Sequence, residues 1–97
     1  MTDGRRHAAI AGVGSALPDR VVPNVEFERF VDTTDEWIRD RTGIRERRFA
    51  AEGQTTSDLA ADATRAALDA AGLAPEQVDL LVCATLSPDT PIPSTAV

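Results

Sequence analysis

A lone tryptophan and an arginine four residues after it, Trp37 and Arg41, are the pair in this sequence whose types and spacing suit work on a ligand. On a helix, positions i and i+4 share a face, so the indole and the guanidinium together make a flat stacking surface with a positive edge. Between positions 39 and 48 five arginines stand against Asp40 and Glu46, a local charge of +3 in a chain of net charge -6, which leaves -9 for the rest. Anions should find this segment. A ligand that joins a planar base to phosphates, such as a nucleotide or coenzyme A, would meet stacking, cation–π contact and charge-assisted hydrogen bonds in one place. The same spacing also suits an exposed cation–π pair on a salt-bridged helix, and spacing alone leaves both readings open.

Other candidate groups have simpler explanations. Cys83 lies inside the continuous apolar run DLLVCAT with no positive group adjacent in sequence, so its thiol is expected to be buried, neutral and inert. His7, the only histidine, has no partner in sequence for base catalysis or metal binding. Asp32, Asp35, Glu36 and Asp40 fall near a helix start, where carboxylates oppose the positive end of the helix dipole. No set of His, Cys, Asp and Glu has metal-ligand spacing, and no metal site is expected. Gly12-Val13-Gly14 has part of a dinucleotide-loop pattern, but the third glycine is missing and Pro18 follows, so the segment reads as a turn at a strand end.

These side chains need a frame. Ninety-seven residues make one small domain or part of one, and 42% hydrophobic residues argue for a folded chain. The acidic balance argues against nucleic acid as a main partner. A single cysteine cannot form an internal disulfide, which makes the cytoplasm the expected compartment. The opening MTDGRRHAAIAGVGSAL is too weakly apolar for a secretory signal, and no segment approaches membrane-spanning length.

Along the chain, HAAIAGV (7–13) reads as a buried strand ending in a turn at Gly14 and Pro18. Asn24 is placed to cap a short helix through Phe30. Thr33 and Glu36 have capping-box spacing, and Gly43 sits where the helix they begin would end in a left-handed residue; IRERRFA then reads as strand. Thr56 or Ser57 caps a helix with Leu59, Ala63, Ala66, Ala67 and Ala70 at helical spacing, stopped by Gly72. Leu80 to Ala84 form an apolar run of strand length that wants cover on both faces, and another helix is expected to start at Pro93 or Ser94. The order amounts to a βαβ crossover with a long helical insertion between residues 18 and 55, an α/β arrangement around a parallel sheet. Two strands and one long helix leave apolar surface to be covered, so the chain is expected to be the front of a larger domain.

The segments GVGSALPDRVVPN, VDTTDEWIRDRTGIRERRFA, TTSDLAADATRAALDAAGL and DLLVCATLSPDTPIPSTA together resemble the beginning of β-ketoacyl-acyl-carrier-protein synthase III, of the thiolase superfamily. The DEWIxxRTGIRER run is the specific signature. The resemblance implies the N-terminal portion of a thiolase-like layered αβαβα fold, with residues 1–97 as part of its first half-domain. It also implies a homodimeric enzyme that takes an acyl group from acyl-coenzyme A onto a cysteine and condenses it, with decarboxylation, with malonyl-acyl carrier protein. Acyl-coenzyme A is then substrate, and no separate cofactor is expected. By position, Trp37 matches the tryptophan that stacks on the adenine of coenzyme A, Thr33 a threonine that hydrogen-bonds near that base, and Arg41 an arginine that contacts the phosphates. Ile92 falls where a residue reaches across the dimer to shape the partner's acyl pocket. That residue is commonly aromatic, so isoleucine leaves the starter group open.

In the family the nucleophilic cysteine, the histidine and the asparagine lie later in the chain, and Cys83 matches an ordinary strand position. No catalytic residue is therefore assigned within residues 1–97, and the chain on its own is expected to be inactive. Two alternatives stay open: a thiolase-fold acyltransferase of secondary metabolism that does not condense, and a truncated, non-catalytic product.

Overall fold

The insertion expected between residues 18 and 55 is a compact unit of its own: the chain divides into Leu17–Thr55 and the segments that flank it, up to Ala16 and from Thr56. The computed structural model describes residues 4–96. In chain order the elements are β1 (Arg20–Pro23), α1 (Asn24–Phe27), α2 (Asp35–Thr42), β2 (Glu46–Phe49) and α3 (Thr56–Ala71), then a single 3-10 turn at Pro75–Gln77.

Within Leu17–Thr55, β1 and β2 pair antiparallel, Arg20 opposite Phe49 and Val22 opposite Arg47. Residues opposite one another, and every second residue along a strand, share a sheet face. Phe27 covers the face that carries Val22, Arg47 and Phe49: its ring lies 5.0 Å from Phe30 and meets Phe49 edge-on at 5.7 Å. All three phenylalanines of the chain and its one tryptophan fall in this unit. So do all the buried residues among those described, namely Pro18, Val22, Asn24 and Ile38.

Helix α2 ends as expected, with Gly43 left-handed at φ 73° and its N–H on the Arg39 carbonyl at 2.8 Å. Its start is one residue later than the sequence suggests: Thr34, not Thr33, is the cap, and its Oγ1 accepts from the Trp37 N–H at 3.1 Å. Asp35 and Glu36 occupy the first turn and Arg39 and Arg41 the last, as the helix dipole favours. Asp40 lies beyond the first turn, outside that explanation. Asn24 is also not a cap. It is the first residue of α1, which stops at Phe27 and not at Phe30, and its side chain is turned inward.

In the flanking unit, α3 runs sixteen residues to Ala71. Gly72, at φ 69°, ends it in a Schellman arrangement: the Leu73 N–H reaches the Leu68 carbonyl at 3.0 Å and the Gly72 N–H the Asp69 carbonyl at 3.2 Å. Its start is held from a distance, because Asp89 accepts from the Ser57 N–H at 2.9 Å and from the Ser57 hydroxyl, while the Thr56 hydroxyl donates to the Ser87 carbonyl at 2.5 Å.

Gly12 and Gly14 lie directly on α3. A Cβ on Gly12 would come within 2.7 Å of the Ala67 carbonyl oxygen and 2.9 Å of the Ala71 Cβ, and one on Gly14 would overlap the Ala67 nitrogen and the Ala63 carbonyl. The stripe Ala63, Ala67 and Ala71 is thus the packed one, whereas Ala66 and Ala70, expected to share that face, are exposed. The GVG pattern is there for close approach of chain to helix.

The strands expected at 7–13 and 80–84 do not form a paired ladder; among the described residues the only sheet is the two-stranded antiparallel β1–β2. No helix forms at Pro93 or Ser94 among the described residues. A strand buried on both faces needs neighbours on both sides. Here Val13, Leu80 and Val82 are 75%, 79% and 82% exposed.

Gly14→Ala should therefore destabilise the protein by about 2–3 kcal/mol through overlap with the α3 backbone. Gly43→Ala, with open space around it but a left-handed backbone, should cost only about 1 kcal/mol. Urea denaturation of both variants checks the order.

Candidate functional site

Of the side chains singled out in sequence, Thr33, Trp37 and Arg41 lie in the unit tied together by one buried amide. Asn24, 1% exposed, donates from Nδ2 to the Ile44 carbonyl at 2.7 Å and to Asp35 Oδ1 at 3.0 Å, and its backbone N–H reaches the Arg45 carbonyl at 3.1 Å. Asp35 passes the restraint on, accepting from Arg39 Nε at Oδ2 (3.0 Å), while its N–H donates to Glu28 Oε1 at 3.1 Å. At the far end of α2 the Thr42 hydroxyl donates to the Ile38 carbonyl at 2.7 Å and accepts from the Ile44 N–H at 3.0 Å. Both ends of α2 are therefore tied to the start of α1, and Trp37 stands in the first turn of a short, fixed helix.

Trp37 is 55% exposed, with the Arg41 guanidinium carbon 5.3 Å from its ring centroid. The i, i+4 pair expected from the sequence is formed. Beside it opens a cleft of about 490 Å³ lined by Phe27, Val31, Asp32, Thr33, Trp37, Ile38 and Arg47, among others. Thr33 and Trp37 share this cleft, while Arg41 stands outside its lining. The Oγ1 of Thr33 is shielded from solvent and makes no hydrogen bond among the described residues. Phe27 and Arg47 were not identified from the sequence. The signal for Arg47 lay in the alternation Arg47, Phe49 along one strand face, and it needed the register with β1 to become readable.

Ile92 lies in the other unit and is 89% exposed. Cys83 is exposed too, which corrects the expectation of a buried thiol: the apolar run around it forms no strand and pairs with none among the described residues. It lines a second cleft, of about 430 Å³, with Ala60, Thr64, Leu68 and Leu81 of the same unit, where Arg65 is paired with Asp62 at 2.9 Å. Among the described residues no group of three or more His, Cys, Asp or Glu could hold a metal ion, and no helix is long and apolar enough to cross a membrane.

No protein-family model matches the chain. Curated relatives do: the β-ketoacyl-[acyl-carrier-protein] synthase III of Cereibacter sphaeroides is 64% identical over 89 residues, 92% of this chain and 28% of that protein. That of Symbiobacterium thermophilum is 56% identical over 91 residues, 94% of this chain and 28% of that protein. Among solved structures, 3-oxoacyl-[acyl-carrier-protein] synthase III from Aquifex aeolicus VF5 is similar with a TM-score of 0.83 at 49% identity, covering 90% of this chain and 28% of that one. The priming β-ketosynthase of the R1128 polyketide biosynthetic pathway is similar with a TM-score of 0.73 at 42% identity, covering 81% and 24%. The chain spans about 28% of the length of the curated relatives it matches. The resemblance drawn from the motifs, to the N-terminal part of such a synthase and its α/β thiolase-like fold, is borne out.

Removing the amide that ties this site together should loosen it. Asn24→Ala is expected to destabilise the protein by about 2–4 kcal/mol, because it leaves the Ile44 carbonyl and the Asp35 carboxylate without their buried donor. Chemical denaturation gives the loss, and faster amide exchange confined to 24–45 would locate it.

Proposed function

From its kinship with a segment of β-ketoacyl-[acyl-carrier-protein] synthase III, we propose that this chain is the coenzyme A entrance of an acyl-condensing enzyme. In the reaction so assigned, an acyl group passes from acyl-coenzyme A to a cysteine thiol and is then condensed, with loss of carbon dioxide, with malonyl-acyl carrier protein. The part of residues 1–97 is to bind and orient, not to make bonds. Bond-making of this kind needs an activated thiolate together with a base and oxyanion donors, and the cleft beside Trp37, lined by aromatic, hydroxyl and cationic groups and the Asp32 carboxylate, holds no thiol.

The observation that carries the reading is the half-exposed indole of Trp37, which lines an apolar cleft and has Arg41, itself outside that lining, stacked against it. A purine laid on the free face of the indole gains stacking and apolar contact. The Thr33 hydroxyl, without a partner among the described residues, is the group to pair with the edge of the base once turned about χ1. Arg41, held by the ring at its face, keeps in-plane N–H donors for the phosphates. Ile92, fully available on its own unit, is assigned to the acyl pocket across a homodimer. Acyl-coenzyme A is substrate, no other cofactor enters, and the cytoplasm is the compartment assigned.

The likeness to a priming β-ketosynthase of a polyketide pathway favours a second version of the same chemistry, in which the starter unit feeds polyketide and not fatty-acid assembly. The ligand assignment does not depend on which holds. Trp37→Ala should raise the dissociation constant for coenzyme A about tenfold or more, as loss of one base–aromatic stack does. Calorimetric titration of the two proteins decides it, and an unchanged constant removes Trp37 from the ligand site.

A further inference from the structure

Arg41 is the cation that sequence spacing brings to Trp37, yet the cation that lines the cleft is Arg47, delivered from β2. Its guanidinium carbon lies 4.2 Å from the centroid of Phe27, closer than Arg41 lies to Trp37. Arg20, Arg39 and Arg65 are paired with Glu26, Asp35 and Asp62, whereas Arg47 has no carboxylate within ion-pairing distance among the described residues. A guanidinium stacked on a ring has its position fixed while the donors in its plane remain free, and that fork matches phosphate oxygens. The strand places it firmly: Arg47 sits opposite the fully buried Val22 in the β1–β2 ladder, so its backbone cannot shift without breaking the pair. Asp32, on the same lining, repels an anion set beside it and leaves Arg47 as the favourable place.

We propose that Arg47 is a specificity-determining residue of this cleft, taking a phosphate of a nucleotide whose base lies on Trp37. The inference rests on the nucleotide reading of the cleft and adds to it a source of charge discrimination. Base contact comes from Trp37 and anion contact from Arg47, two groups on different elements, so the cleft should prefer a phosphorylated nucleotide to the bare nucleoside.

Adenosine and ADP, titrated calorimetrically into the protein as its gene encodes it in full, test this with Arg47→Gln, Arg47→Lys and Trp37→Ala. Arg47→Gln should weaken ADP at least about tenfold and adenosine less than about twofold, with Arg47→Lys between it and the parent for ADP. Circular-dichroism melts verify that the variants fold, and Arg47→Lys keeps the comparison intact should the glutamine variant fail to. Equal loss of both ligands in the folded glutamine variant, or loss of neither, overturns the proposal while leaving the nucleotide reading in place. Failure of Trp37→Ala to weaken adenosine, or a parent protein that binds neither ligand, overturns the nucleotide reading and this inference with it.

Discussion

Three stretches of Leu17–Thr55 meet at the Asn24 side chain, and none of them could hold its place alone. A four-residue helix, an eight-residue helix and a two-stranded ribbon are each below the size at which such elements persist in water. Asn24 Nδ2 answers this by donating both to Asp35 at the start of α2 and to Ile44 just after its end, while Asn24 itself begins α1 directly after β1. With Asn24 itself 1% exposed, those bonds are costly to break on its side, since losing them leaves a buried amide without partners. Val22 and Ile38 supply the small apolar core around the amide. The face of Trp37 and the cleft beside it exist only while this knot holds.

Local chemistry was legible where a residue type has one mechanical use. Gly43 at a helix end, Gly72 at another, Trp37 and Arg41 four apart, and the strand character of IRERRFA all read correctly, because left-handed φ, i, i+4 geometry and alternation are decided within a few residues. What failed depended on distant partners. Thr34 and not Thr33 caps α2, a choice between neighbours made by how the incoming chain is aimed. Asn24 looked like a cap because asparagine often is one, but burial against Ile44, twenty residues away, turned it into a cross-brace. The capping of α3 by Asp89 was beyond reach for the same reason, being a contact over thirty-two residues.

The apolar runs at 7–13 and 80–84 give the opposite lesson. Their composition suits strands buried on both faces, and their exposure here shows that composition alone does not supply a ladder. What those segments do provide is contact with α3: Gly12 and Gly14 lie against its alanine stripe, and Leu81, Val82 and Cys83 line a cleft with Ala60, Thr64 and Leu68. Extended chain thus lies against the helix where the expected βαβ unit would have strands, without the sheet that would complete it. Cys83, read as a buried structural thiol, is exposed for that reason and not because it is arranged for chemistry.

Because the chain holds a single tryptophan, its intrinsic fluorescence reports on the site alone. The most direct measurement is a titration of Trp37 emission with coenzyme A, set beside the same titration with phosphopantetheine, which lacks the base. Stacking of a purine on the indole predicts saturable quenching by coenzyme A and little or none by phosphopantetheine. Equal responses to both, or no response to coenzyme A, would contradict the account of Trp37 as the platform for the base.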